Sequence, residues 1–97
     1  MEILKKQEGA AVTLNLEGRL DTVTSPELEK TISELTDADS LLIDLAKLDY
    51  ISSAGLRVML FAHKTFAKKG GMTIKNVNEV VADIFDVTGF KDILNIQ

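Results

Sequence analysis

A short apolar run, Leu41-Leu42-Ile43-Asp44-Leu45, precedes Leu48-Asp49-Tyr50-Ile51 and two serines, after which apolar residues recur at helical spacing through Phe66. This stretch constrains the fold more than any other. A near-continuous apolar run suits a strand covered on both faces and central in its sheet. The change of period just beyond it requires the chain to leave the sheet and enter a helix at Ser52-Ser53. The first turn of that helix has backbone N–H groups without intrahelical partners and a partial positive charge. A serine hydroxyl there caps the helix, and a phosphate on it would meet the same donors.

The rest of the chain arranges itself around this handover. Ile3–Gln7 and Ala11–Leu16 are two short strand candidates on either side of Glu8-Gly9, and the turn chemistry between them predicts an antiparallel hairpin. Residues 17–24 read as a loop. Ser25-Pro26-Glu27-Leu28 opens a first helix, with either Ser25 as N-cap or Thr24 and Glu27 as a capping box. Leu28, Ile32 and Leu35 form its buried stripe, and it fades at Thr36-Asp37-Ala38-Asp39. A strand follows over Ser40–Leu45.

The second helix runs from about Ala54 to Lys69 and ends at the C-cap signal Gly70-Gly71, with Lys68 and Lys69 suiting its negative end. Leu56, Met59, Leu60, His63, Phe66 and Ala67 lie on its inner side, Arg57, Lys64 and Lys68 elsewhere. Met72–Val77 is a further strand. Asn78 caps a third helix whose inner face is Val80, Val81, Ile84 and Phe85, and Thr88-Gly89 ends it. Phe90–Gln97 forms a last short strand or a turn of helix. This order predicts an α/β fold, a mixed sheet of about four to five strands opening with an antiparallel hairpin and flanked by about three to four helices. With 97 residues the chain has room for one domain, residues 1–97, around one modest core.

Composition excludes several functions. The net charge is −4, and Lys68-Lys69 is too small a basic cluster to attract nucleic acid. There is no cysteine, which removes disulfides, thiolate metal sites and cysteine nucleophiles and fits a reducing cytoplasm. No apolar run is long enough to span a bilayer or to form a signal peptide, so a soluble, cytoplasmic protein is expected. The only histidine, His63, reads as a satisfied, partly buried core residue rather than a catalytic one. There is no phosphate-binding glycine loop, no Gly-x-Ser-x-Gly elbow and no metal-ligand spacing, so neither catalysis, cofactor nor metal is expected.

Ser52 and Ser53 remain. Both could be helix caps only. Alternatively, one hydroxyl stands exposed and accepts a phosphoryl group, adding about −1.5 to −2 charges near neutral pH. The helix end would tolerate that charge while an acidic partner surface would be repelled. Gly55 either lets a partner's backbone approach or serves close packing. Arg57 is either solvated or a rim contact.

Ile51-Ser52-Ser53-Ala54-Gly55-Leu56-Arg57, preceded by the strand at Leu41–Leu45 and by Leu48-Asp49-Tyr50, resembles the signature of STAS-domain anti-sigma factor antagonists. Gly18-Arg19-Leu20-Asp21 with Ser25-Pro26-Glu27-Leu28 is similar to the family's other marked segment, and the likeness continues through Gly70-Gly71 and Gly89-Phe90. The resemblance implies a non-enzymatic partner switch. The unmodified protein binds an anti-sigma factor that is also a serine kinase of GHKL type, and phosphorylation ends the binding until a serine phosphatase resets it. It implies Ser53 as acceptor, with Ser52 as second choice because this chain has Ser52 where many relatives have aspartate. Asp21 matches a loop aspartate that lies near the acceptor and helps meet the kinase; with Thr22, Ser52 and Ser53, and with Ala54, Gly55 and Arg57 added on the physical reading of their size and position, it makes up the expected binding surface. The alternative is a stand-alone STAS subunit that docks on a transport ATPase or signalling scaffold without a phosphorylation cycle.

Overall fold

The computed structural model describes residues 1–97. The chain runs β1 (Glu2–Glu8), β2 (Ala11–Leu20), α1 (Ser25–Ser33), β3 (Ser40–Ile51), α2 (Ser53–Ala67), β4 (Gly71–Lys75), α3 (Glu79–Thr88) and a 3-10 turn at Phe90–Asp92. The four strands lie in the order β1-β2-β3-β4. β1 and β2 form the expected antiparallel hairpin, turning at Gly9 in the left-handed region (φ 60°), while β2–β3 and β3–β4 are parallel. Parallel neighbours need crossovers, and α1 and α2 supply them.

β3 is central, as expected, but it is not covered on both faces. Leu41, Ile43 and Leu45 are buried together with Val12, Leu14 and Leu16 of β2 and Met72 and Ile74 of β4. The alternate residues Thr13, Asn15, Leu42, Asp44 and Thr73 are only half-buried. Leu28 and Ile32 of α1, Met59 and Phe66 of α2, and Val81 and Phe85 of α3 join the buried set in one core cluster, so all three helices cover one face of the sheet. The polar residues of the other face keep water against it.

Two strands run further than their sequence pattern indicates. β2 continues through residues 17–20, where a loop was expected, because Leu20 keeps the period of Val12, Leu14 and Leu16 and is fully buried. β3 continues past Leu45 to Ile51. Asn15 pairs with Asp44 but Glu17 with Lys47, and Gly18 pairs with Leu48 but Arg19 with Tyr50. Two extra residues are therefore accommodated in β3 as bulges. The buried positions accordingly pass from Leu45 to Leu48 to Ile51, which conceals the strand period.

On α2 the buried side is Gly55, Leu56, Val58, Met59, Ala62 and Phe66; Leu60 is half-buried and Ala67 exposed. His63 is half-buried, but its Nδ1 is enclosed without a hydrogen-bond partner, so it is not the satisfied core histidine expected. The helix stops at Ala67, and the left-handed residue is Gly71 (φ 93°), which opens β4. Lys69 donates to Ala38 O at 3.0 Å and lies over the Phe66 ring instead of serving the end of its own helix. α3 begins as expected, with Asn78 Oδ1 accepting from Val81 N at 2.9 Å, and ends at left-handed Gly89. Asn78 also donates to Leu48 O, which ties the start of α3 to the far half of β3. Of its expected inner face, Val80 is 55% exposed, because α3 buries only the stripe of Val81 and Phe85. Beyond the 3-10 turn, Ile96 makes a single parallel bridge to Ile74 at the outer edge of β4.

Candidate functional site

Leu20 and Ile51 are register partners at the carboxyl ends of the parallel strands β2 and β3. The chain therefore leaves the sheet twice at neighbouring points, once into residues 21–24 and once into α2. Ser52 N donates to Leu20 O at 2.9 Å, fastening one exit to the other. Loops outside the carboxyl ends of parallel strands are where such sheets place their binding residues.

At the second exit the two serines have different positions. Ser52 is the N-cap: its backbone is extended, its Oγ accepts from Gly55 N at 3.4 Å, and it is half-buried. Ser53 is the first residue of α2 and is exposed. Ala54 beside it is half-buried and Arg57, one turn on, is exposed. Gly55 faces inward. A Cβ there would stand 2.8 Å from Ile51 Cγ1 and 2.8 Å from Leu20 Cγ, so its hydrogens are in the core and it is no partner contact. Its smallness lets the helix start close over the two strand ends.

The first exit is a closed knot. Asp21 Oδ1 accepts from the N–H groups of Val23 and Thr24 at 3.0 and 3.1 Å. The Thr24 hydroxyl accepts from Asp21 N at 2.9 Å and donates to Arg19 O at 2.7 Å. Ser25 returns both its N–H and its hydroxyl to Asp21 O. Neither expected cap of α1 forms. Thr24 stands at the N-cap position without a side-chain cap bond because its hydroxyl is engaged by Asp21 N and Arg19 O, and Ser25 is buried with its hydroxyl on Asp21 O. The knot presents Thr22 and Val23 to solvent, Val23 being 85% exposed. Arg19 lies 4.5 Å over the Tyr50 ring and 4.0 Å from Asp21 Oδ2. Val23 lies outside both marked segments, and Arg19 and Tyr50, though within them, have no binding role that the sequence pattern indicates. The bulge directly before the Arg19–Tyr50 pair hides from the sequence that the two share a ladder.

The Thr24 N–H is the largest cause holding the Asp21 carboxyl below its ordinary value, helped by the Val23 N–H, the Thr24 hydroxyl and the Arg19 guanidinium, and opposed by partial desolvation. A depressed folded value means that the carboxylate contributes stability above the unfolded value of 3.8, which is lost as pH falls through the lower folded value. Melting temperature followed from pH 6 into acid is therefore expected to fall less steeply below pH 4 for Asp21→Asn than for the parent. Parallel curves would mean that this carboxylate is not linked to folding.

A model of the STAS domain matches residues 2–97. The anti-sigma-B factor antagonist of Bacillus subtilis (strain 168) is 32% identical over 94 residues, covering 95% of this chain and 86% of that protein. Among solved structures, an anti-sigma factor antagonist from Mycobacterium paratuberculosis aligns with a TM-score of 0.87 at 21% identity, covering 98% of this chain and 83% of the other. The antagonist SpoIIAA in its unphosphorylated form aligns at 0.84 with 16% identity, covering 99% and 88% of the two chains. Its phosphorylated form, from Bacillus, aligns at 0.76 with 15% identity, covering 99% and 91%.

Proposed function

Because the chain belongs to the STAS-domain family, we propose that it is an anti-sigma factor antagonist switched by phosphorylation of Ser53. Unmodified, it binds an anti-sigma factor and so frees a sigma factor. With a phosphate on Ser53 the complex no longer forms. The observation that carries this reading is the division of labour at the start of α2. Ser52 is held as the cap, whereas Ser53 stands exposed beside it in the first helical turn. A phosphate can be added there without displacing core atoms, and helix ends of this polarity tolerate negative charge.

The docking surface comprises Asp21, Thr22 and Val23 on one exit and Ser53, Ala54 and Arg57 on the other, with Ser52 beneath them. The anti-sigma factor is itself the serine kinase, of GHKL type, and a serine phosphatase restores the binding form. The cycle runs in the cytoplasm, and no helix of the chain is long and apolar enough to cross a membrane.

Treating the protein with its anti-sigma factor and ATP should add one phosphate, which peptide mass spectrometry places on Ser53. Ser53→Ala should abolish it while leaving the circular dichroism spectrum unchanged. Modification of Ser52, Ser33 or Thr36, or none at all, would overturn the assignment. Retrieval of a transport ATPase in place of a kinase by affinity capture would overturn the partner.

A further inference from the structure

Arg57 stands four residues after Ser53 on α2, and both are exposed. Residues at this spacing lie one turn apart on the same side of a helix, with Cβ atoms about 5–6 Å apart. The order also matters, because an anion N-terminal to a cation is the favourable arrangement. Arg57 has no such anion in the unmodified protein. α2 contains no aspartate or glutamate, and the positions one turn away from Arg57 are Ser53, Ala54, Leu60 and Phe61. Neither ion pair of the chain and neither cation–π contact includes it. Of the other charges at this end of the sheet, Arg19 and Asp21 already face each other, and Asp49, exposed near the end of β3, is in an ion pair with neither Arg57 nor any other cation. Ser53 thus occupies the position where a glutamate would ordinarily pair with this arginine.

We propose that Arg57 is the internal counter-ion of phosphoserine 53: once the phosphate is present, the guanidinium turns back one helical turn and binds its oxygens. The inference rests on Ser53 being the acceptor. Guanidinium and phosphate match in a two-pronged, charge-assisted contact that an ammonium cannot reproduce. The consequence is a switch with two parts. Phosphorylation brings a dianion to the docking face and also withdraws from it the one cation α2 offers beside the acceptor.

The test places phosphoserine at position 53 by genetic encoding, so that it does not depend on which serine a kinase selects. Phosphorus NMR then follows the second ionisation of the phosphate with pH. An opposite charge nearby favours the dianion, so the parent should titrate about half a unit to one unit below Arg57→Gln. Arg57→Lys should fall between them. Lys64→Gln, which removes an exposed cation two turns further along the helix, should titrate with the parent. The difference between parent and Arg57→Gln should shrink in molar salt. Coincident titration of the parent and Arg57→Gln would overturn the inference whatever site the kinase modifies. Modification elsewhere by the kinase would overturn the acceptor assignment while leaving this result standing.

Discussion

Ser53→Asp is expected to bind the anti-sigma factor about ten- to a hundredfold more weakly than the parent, roughly 1.4–2.8 kcal/mol, with little change in stability. The two halves of the expectation have separate causes. Stability is spared because Ser53 is exposed at the first position of α2, where it displaces no core atom and a carboxylate is welcome. An exposed substitution of this kind should move the melting temperature by no more than about 3 °C. Binding suffers because a partner that covers this turn must take the carboxylate out of water or hold it against its own charges, and like charges brought together at an interface cost several kcal/mol. Titration calorimetry against the anti-sigma factor, with Ser53→Ala as the neutral comparison, separates charge from side-chain loss. The alanine variant should bind close to the parent. Equal affinity for the aspartate variant would show that charge at this turn does not govern association.

The aspartate carries one charge on a short arm, whereas phosphoserine carries nearly two and reaches further along the helix. If Arg57 turns back to the phosphate, it should do so less completely toward aspartate. The mimic would then reproduce the repulsion but leave the cation available to the partner. Phosphoserine should accordingly weaken binding more than aspartate does.

The serine pair illustrates what sequence alone can decide. Periodicity places both residues at the strand-to-helix handover, but an N-cap differs from a first helical residue by a single position. Which hydroxyl caps is set by the exact phase at which α2 leaves β3, and the hydrogen bond from Gly55 N to Ser52 Oγ fixes it. The opening hairpin and the caps of α3 were legible because their signals are local: glycine at a left-handed turn, asparagine ahead of a helical period. The far half of β3 was not, because its two bulges place Leu45, Leu48 and Ile51 three residues apart. The first loop was misread for a related reason. Serine and threonine near proline look like caps, yet the Thr24 and Ser25 hydroxyls are bonded back to the backbone of Arg19 and Asp21 and are not free to cap the helix. Coverage of the sheet was overestimated from one apolar residue, Leu42, which stands among threonines, asparagine and aspartate on the open face.

Gly55→Ala should be damaging, and its sign is informative. Elsewhere in a helix, exchanging glycine for alanine gains roughly 0.5–1 kcal/mol, since alanine surrenders less conformational freedom. Here the new methyl would lie 2.8 Å from both Ile51 Cγ1 and Leu20 Cγ, inside contact distance of two fully buried side chains. Overpacking of this kind costs about 1–3 kcal/mol. Leu20 and Ile51 are also the last residues of β2 and β3, and the loops beyond them carry Asp21 and Ser52. Relief of the clash must move the start of α2 away from the strand ends, so Ser53 shifts relative to Thr22 and Val23. Partner affinity should fall with stability, unlike in Ser53→Asp, where only affinity falls. Urea unfolding and calorimetry on the same samples read both quantities. Leu20→Val in the Gly55→Ala background should recover part of the loss, because removing a methylene opens the space that the alanine needs, and a double-mutant cycle would register the coupling. Stabilisation by Gly55→Ala would mean that α2 can rise over the strand ends without cost, and that its close seating does not hold the two exits in place.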